Sequence, residues 1–276
     1  MSDSFKLACI QVTASDDLAE NLQNAVQLAH RAHSDGAEFL TFPECVSMMA
    51  FGRNAVHENS FEEDGHPALQ RFVDLADELK SWVLVGSLPV KISPGRVANR
   101  GYLIDDKGVV RTSYDKIHMF DVELENGESY RESDTYNPGS SAVIADTPWG
   151  KLGMTICYDL RFPQIYRELA QHGAMMLSVP SAFTRPTGEA HWEVLLRARA
   201  IECGAYVFAP AQCGVHAGGR KTYGHSLIID PWGRVLADGG EKPGYVLAEI
   251  HPAYVEEVRS SLPSLQHDRK YTKPTK

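Results

Sequence analysis

The stretch Gly153-Met154-Thr155-Ile156-Cys157-Tyr158-Asp159-Leu160-Arg161-Phe162-Pro163 decides the fold. The apolar run 152–156 has the length of a buried strand. It stops at a cysteine, polar residues turn the chain, and a helical pattern over 164–172 closes at Gly173. A further apolar strand follows at 175–179. Strand, turn, helix, strand is the repeating step of an α/β protein, and strand C-termini are where such folds gather their sites. Position alone leaves two readings of Cys157. One is a nucleophile; the commoner is a core cysteine packed as a small hydrophobe.

The same alternation extends in both directions. Upstream, 5–12 is a strand, and Asp16 and Asp17 open a helix with apolar residues at Leu18, Leu22, Ala25, Val26, Ala29 and Ala32, ended by Gly36. A short buried strand at 39–42 is stopped by Pro43. A helix at 67–80 and a strand at 82–88 come next. Segments 102–104 and 109–114 flank Asp106-Lys107-Gly108, a hairpin signal. Segments 142–145 and 152–156 flank Pro148-Trp149-Gly150. Downstream lie a helix at 190–203, strands at 205–211, 227–230, 234–237 and 245–250, a second Pro-Trp-Gly turn at 231–233, a short helix at 253–260 and a polar, basic tail from 262. The helix at 190–203 is expected to lay Val194, Leu195, Ala198 and Ile201 on the sheet, with Glu193–Arg197 and Arg199–Glu202 as structural ion pairs. Hairpins require antiparallel neighbours, so a mixed pair of sheets with helices outside fits better than one parallel sheet. No linker or solenoid repeat interrupts the pattern, and 1–276 is expected to be one domain.

Composition narrows the function. Of 276 residues 43% are hydrophobic, enough for a large core. The formal net charge of −9 disfavours a nucleic-acid or anionic-membrane partner. No stretch approaches the roughly 18 apolar residues of a membrane span, and residues 1–7 lack an apolar signal core. The five cysteines (9, 45, 157, 203, 213) are odd in number and never spaced C-x-x-C, so a reducing, cytoplasmic setting is expected rather than a disulfide framework or structural zinc. Eleven histidines include no H-E-x-x-H pair, and Gly218-Gly219-Arg220-Lys221-Thr222 lacks the residue order of a phosphate loop. Neither a metal nor an organic cofactor is expected.

Three other residues share the position of Cys157, just beyond a strand or turn. Glu44 ends Phe42-Pro43-Glu44; burial would fit its carboxyl for general acid–base work, while an exposed loop acid is the favoured reading in isolation. Lys116, in Tyr114-Asp115-Lys116-Ile117-His118, can stabilise an oxyanion or simply pair with Asp115 at the surface. Glu132, in Tyr130-Arg131-Glu132-Ser133, is uninformative by itself.

Taken together in chain order, these motifs resemble the nitrilase superfamily of carbon–nitrogen hydrolases. Phe42-Pro43-Glu44 is similar to its glutamate motif, Tyr114 to His118 to its lysine motif, and Cys157 to Pro163 to its cysteine motif; Glu132 matches its second glutamate. Within the superfamily the chain is most similar to the Nit branch, and there to the deaminated glutathione amidases. Ser181-Ala182-Phe183, the run Ala190 to Glu202 and Ala211-Gln212-Cys213-Gly214 carry that similarity; Glu189 stands where the branch commonly has Pro. The resemblance implies a four-layer α-β-β-α sandwich that forms homodimers. It implies hydrolysis of a small-molecule amide to carboxylate and ammonia through a thioester on Cys157, with Glu44 as base, Lys116 and the Tyr158 N–H at the oxyanion, and Glu132 in support. We assign substrate contact to Tyr158, Ser181, Phe183 and Arg185, with Arg185 and Arg220 as candidate anchors for a substrate carboxylate. The alternatives are an ω-amidase for dicarboxylic monoamides, a nitrilase, or an idle binding partner of the same fold.

Overall fold

Alternation along Phe5–Gln11 sets the layers. Phe5, Leu7 and Cys9 join one apolar cluster, Ala8 and Ile10 another, and all five are buried. A strand buried on both faces belongs inside a stack of layers. The computed structural model describes residues 4–50, 52–124 and 127–274. Its first sheet runs Gly244–Ile250, Phe5–Gln11, Phe39–Thr41, Trp82–Ser93, Arg96–Ile104, Val110–Asp115, with Phe61–Glu62 paired beside Trp82–Ser93. The second runs Val143–Thr147, Gly150–Met154, Ala174–Ser178, Tyr206–Ala209, Leu227–Ile229, Val235–Asp238. In these orders both sheets show the same succession of pairings: antiparallel, parallel, parallel, antiparallel, antiparallel. Both Pro-Trp-Gly turns lie in the second sheet, one in each of its edge hairpins, so they do not mark this repeat.

The helices are α1 (Leu18–Ser34), α2 (Arg53–Glu58), α3 (Pro67–Leu79), α4 (Pro163–Gln171), α5 (Arg185–Cys203) and α6 (Pro252–Ser261). Asp17 caps α1 through the Glu20 N–H, as its acidic start suggests. Ala25, Ala29 and Ala32 of α1 and Leu69, Phe72 and Ala76 of α3 pack with Ala8, Ile10, Val83 and Val85 on the outer face of the first sheet. Leu7, Phe39, Leu84 and Leu103 cluster with Leu152, Met154 and Met176 between the sheets. Helices α4 and α5 contribute Tyr166, Leu169, Trp192, Leu196 and Ala200 beyond the second sheet. This is the α-β-β-α order. Trp149, from the first Pro-Trp-Gly turn, inserts between the layers: its ring lies 4.1 Å from Phe5 and 5.8 Å from Phe39, both stacked, and 6.2 Å edge-on from Trp82. Such aromatic pairs each add about 1 kcal/mol beyond their burial.

Two expectations change. The buried face of α5 is Trp192, Leu196, Ala200 and Cys203, whereas Val194 is 69% exposed and Ile201 47%. The helix carries apolar residues on two faces, and the larger Trp192 takes the sheet. Helix α5 also starts earlier than the expected residue 190, because Pro186 suits a first turn and Arg185 pairs with Glu189 one turn on. The two expected ion pairs do form, Arg197 to Glu193 at 3.2 Å and Arg199 to Glu202 at 2.8 Å.

Candidate active site

Each chemical group leaves the end of a strand by a specific local device. Phe39–Thr41 extends through Phe42, whose N–H donates to Leu84 O at 2.9 Å. Gly86 lets this crossing happen: a Cβ there would sit 2.1 Å from Phe42 O. The next residues turn, Cys45 adopting a φ of +54° with its N–H held by Ser87 Oγ at 2.9 Å. Glu44 is thereby turned inward, 4% exposed. Gln212, from the far sheet's side, donates its Nε2 to Glu44 O and Cys45 O and accepts from Ala14 N, stitching this turn to a second segment.

Lys116 follows Val110–Asp115. Arg100 grips Asp115 with Nε at 2.6 Å and Nη2 at 2.9 Å, and also meets Glu63. With the strand end clamped, the Lys116 N–H donates to Asn99 O at 3.0 Å and its side chain runs inward, 2% exposed. Glu132 begins a single turn, Glu132–Asp134, after the ribbon of Asp121–Glu123 with Ser129–Arg131. The Phe120 N–H donates to Glu132 Oε2 at 2.6 Å and aims the carboxylate inward.

Cys157 follows Gly150–Met154 with a φ of +50°, the left-handed region that costs a non-glycine residue of order 1 kcal/mol and is held only where surroundings over-determine it. The surroundings here are dense. Cys157 N–H donates to Pro180 O at 2.9 Å. Asp159, fully buried, accepts from Ile156 N at 2.8 Å, Tyr114 Oη at 2.7 Å and His118 N at 3.1 Å, with His118 Nδ1 2.7 Å away. Arg199 on α5 donates Nε and Nη2 to Leu160 O, each at 3.1 Å.

These devices converge. Lys116 Nζ lies 2.8 Å from Glu44 Oε1 and 2.8 Å from both oxygens of Glu132. Glu44 Oε2 accepts from Ala182 N at 2.8 Å. All four groups line one cavity of about 460 Å³, a size suited to a small organic molecule. Burial pushes the Glu44 carboxyl up, but the Lys116 charge and hydrogen bond, with those from Cys157 and Ala182, leave it below its ordinary value. Burial disfavours the Lys116 ammonium, and the charges of Glu132 and Glu44 more than reverse this, holding it well above the usual lysine value. Burial and then the Glu44 charge push the Cys157 thiol well up. The resting cluster is therefore carboxylate, ammonium and neutral thiol.

Of the residues assigned to substrate contact, Tyr158 and Phe183 line the cavity. Ser181 is fully buried with its hydroxyl on Val179 O at 3.0 Å, and Arg185 sits outside the lining, paired with Glu189 and Glu241. Arg220, from the loop that resembles a phosphate loop only faintly, does line the cavity, with Nη2 on Ala182 O at 2.7 Å and its guanidinium 5.1 Å over the Tyr130 ring. Sequence reasoning missed Asn99, which reaches both carboxylates; a neutral amide inside a strand carries no motif. Among the described residues no group of three or more His, Cys, Asp or Glu is arranged to hold a metal ion, and no helix is long and apolar enough to cross a membrane.

Known proteins share this arrangement of sheets and helices. A family model described as carbon–nitrogen hydrolase matches residues 6–260. A deaminated glutathione amidase from Synechocystis is 43% identical over 268 residues, covering 95% of this chain and 97% of its own. The crystal structure of the Caenorhabditis elegans NitFhit protein superposes with a TM-score of 0.89 at 36% identity, covering 97% of this chain and 65% of that one. An amidase of the nitrilase superfamily from a Nesterenkonia species, in a form bearing acrylamide added to its active-site cysteine, superposes with a TM-score of 0.79 at 27% identity, covering 94% of this chain and 98% of that one. With its family motifs, its layered fold and these matches over most of its length, the chain belongs to the carbon–nitrogen hydrolase family and is a hydrolase of amides.

Proposed function

We propose that this chain hydrolyses deaminated glutathione, with Cys157 as nucleophile and Glu44 as the proton carrier. The observation that carries the chemistry is the convergence of Glu44, Lys116, Glu132 and Cys157 on one cavity. The substrate follows from the relative of that name, 43% identical over almost the whole chain. The sulfur of Cys157 attacks the amide carbonyl while its proton passes to Glu44. Lys116 Nζ and the Tyr158 N–H stabilise the oxyanion, each such donor contributing about 3 kcal/mol. The C–N bond breaks as Glu44 returns the proton to nitrogen. That nitrogen leaves as ammonia from a primary amide, and as the amine of a cysteinyl residue from deaminated glutathione. Glu44 then takes a proton from water, whose oxygen attacks the thioester, and returns it to the departing sulfur. Glu132 holds the ammonium of Lys116 in place throughout.

The test compares deaminated glutathione, a succinamate-type amide and an aliphatic nitrile as substrates, following new primary amine or ammonia. Preference for deaminated glutathione by about tenfold or more in kcat/KM is expected. A preference for the small monoamide would instead support an ω-amidase, and for the nitrile a nitrilase.

The chain is further proposed to act as one domain, in the cytoplasm, as a homodimer. Five unpaired cysteines suit a reducing compartment. Val194, Ile201 and Trp232 are exposed, and Gly233, next to Trp232, lies against the Ile201 side chain. The flanking Glu193 and Arg197 offer opposite charges to a second copy related by a two-fold axis. Light scattering is expected to give about twice the 30.5 kDa chain mass, and Ile201→Asp to reduce it to that of one chain. An unchanged mass would remove this face from the interface.

A further inference from the structure

Asn99 lies in the strand Arg96–Ile104, 2% exposed, on the lining of the cavity. Its Nδ2 is 3.0 Å from Glu44 Oε1 and 3.3 Å from Glu132 Oε1. A carboxamide nitrogen has two hydrogens, and here each faces a different carboxylate. The opposite rotamer would set the amide oxygen against two carboxylates, so the chemistry of the neighbours fixes this orientation. The backbone of the same residue accepts the Lys116 N–H at 3.0 Å. Asn99 thus touches three of the four groups of the cluster.

We propose that Asn99 is a positioning residue that holds Glu44 ionised and aimed for proton transfer, and spaces it from Glu132 across Lys116. The inference rests on Glu44 being the base for Cys157. Two carboxylates sharing one ammonium repel each other, and any turn of Glu44 toward Lys116 alone draws it off the sulfur. A second, uncharged donor on the same oxygen opposes that turn without adding a charge. Hydrogen bonds to the ionised form also favour that form. The charged and titratable groups around Glu44 are Lys116, Glu132, Cys157 and Cys45, with Tyr136 and Arg220 beyond them. A carboxylate in place of Asn99 would be a third anion among them.

The test uses Asn99→Asp, which keeps the shape and removes the donor, and Asn99→Ser, which keeps a donor too short to span both carboxylates and serves should Asn99→Asp not fold. Both are read by kcat and KM across pH and by the pH dependence of Cys157 alkylation with chloroacetamide. A fall in kcat of about 100-fold for Asn99→Asp, with KM within a few-fold, is expected from a misaimed base. The acid limb of both profiles is expected to move up by about one pH unit, with Asn99→Ser shifted the same way by less. A folded variant that keeps the wild-type acid limb overturns the proposal, even if its thermal stability falls. Cys157→Ala is run alongside: its inactivity keeps the nucleophile in place whatever Asn99 does, whereas an active Cys157→Ala enzyme overturns both readings.

Discussion

Replacing Cys157 by alanine leaves a folded chain whose amide hydrolysis is reduced by about 10⁵-fold or more. The fold should survive because the residue is small and packs at a turn held by other groups. Cys157 N–H still donates to Pro180 O, Asp159 still gathers Ile156, Tyr114 and His118, and Arg199 still grips Leu160 O. Alanine meets the same left-handed φ as cysteine, so backbone strain does not change. The chemistry does not survive, because alanine offers no nucleophile and burial pushes the other thiol on the cavity, Cys45, up to about 12. Cys157→Ser is expected to behave almost as poorly: Glu44, held below its ordinary value, is a weak base toward a hydroxyl. Amine release from deaminated glutathione, beside a urea unfolding curve, checks both halves. Substantial turnover by either variant would remove the thioester from the mechanism.

Lys116→Met is expected to damage both stability and rate. Methionine fills similar space but leaves Glu44 and Glu132 buried without their shared cation. Removing one partner from a buried ion cluster costs about 3–5 kcal/mol, visible as a lower urea midpoint. The rate should fall by about 10³-fold, the upper range for loss of one oxyanion donor, because the base is lost as well. Burial pushes the Glu44 carboxyl up, and Lys116 supplies the largest opposing effects. Without Lys116 the carboxyl protonates at higher pH and the acid limb of activity moves up. Stability gives an independent sign. In the wild type Glu44 titrates below its unfolded value, so its stabilisation is present above that value and lost as pH falls through the folded one. Lys116→Met should lose this acid-side dependence. A variant with wild-type stability and an unmoved acid limb would contradict the shared-cation cluster.

How far the sequence carried the account follows from local signals. Cys157, Glu44 and Lys116 each end or follow a strand with a recognisable pattern, so their positions were legible before their contacts. Glu132, uninformative by itself, was reached only through the family resemblance, because it sits in one irregular turn whose orientation comes from the Phe120 N–H. Asn99 and the backbone role of Gln212 were hidden for a related reason: neutral amides signal only through the partners the fold brings to them. Strands were foreseen where apolar runs were uniform. Trp82–Ser93 runs past the expected end at residue 88, where Pro89 to Ser93 pair with Arg96 to Asn99, and the ribbons Asp121–Glu123 with Ser129–Arg131 and Cys213–Val215 with Lys221–Tyr223 were too short and polar to show any period. On α5 two apolar faces of equal spacing competed, and only the sheet's position chose Trp192 over Val194.

The central claim is that Glu44 activates Cys157, and it is met most directly by mapping alkylation of the native protein with chloroacetamide, an electrophile that carries an amide. Five cysteines are present, and burial raises the thiols of Cys9, Cys45 and Cys203 to about 12. Cys157 lines the cavity, where burial and then the Glu44 charge push its thiol up. The account predicts that one equivalent modifies Cys157 first, that activity disappears in step with it, and that Glu44→Gln slows the labelling. Preferential labelling of another cysteine, or full modification of Cys157 with activity retained, would contradict it.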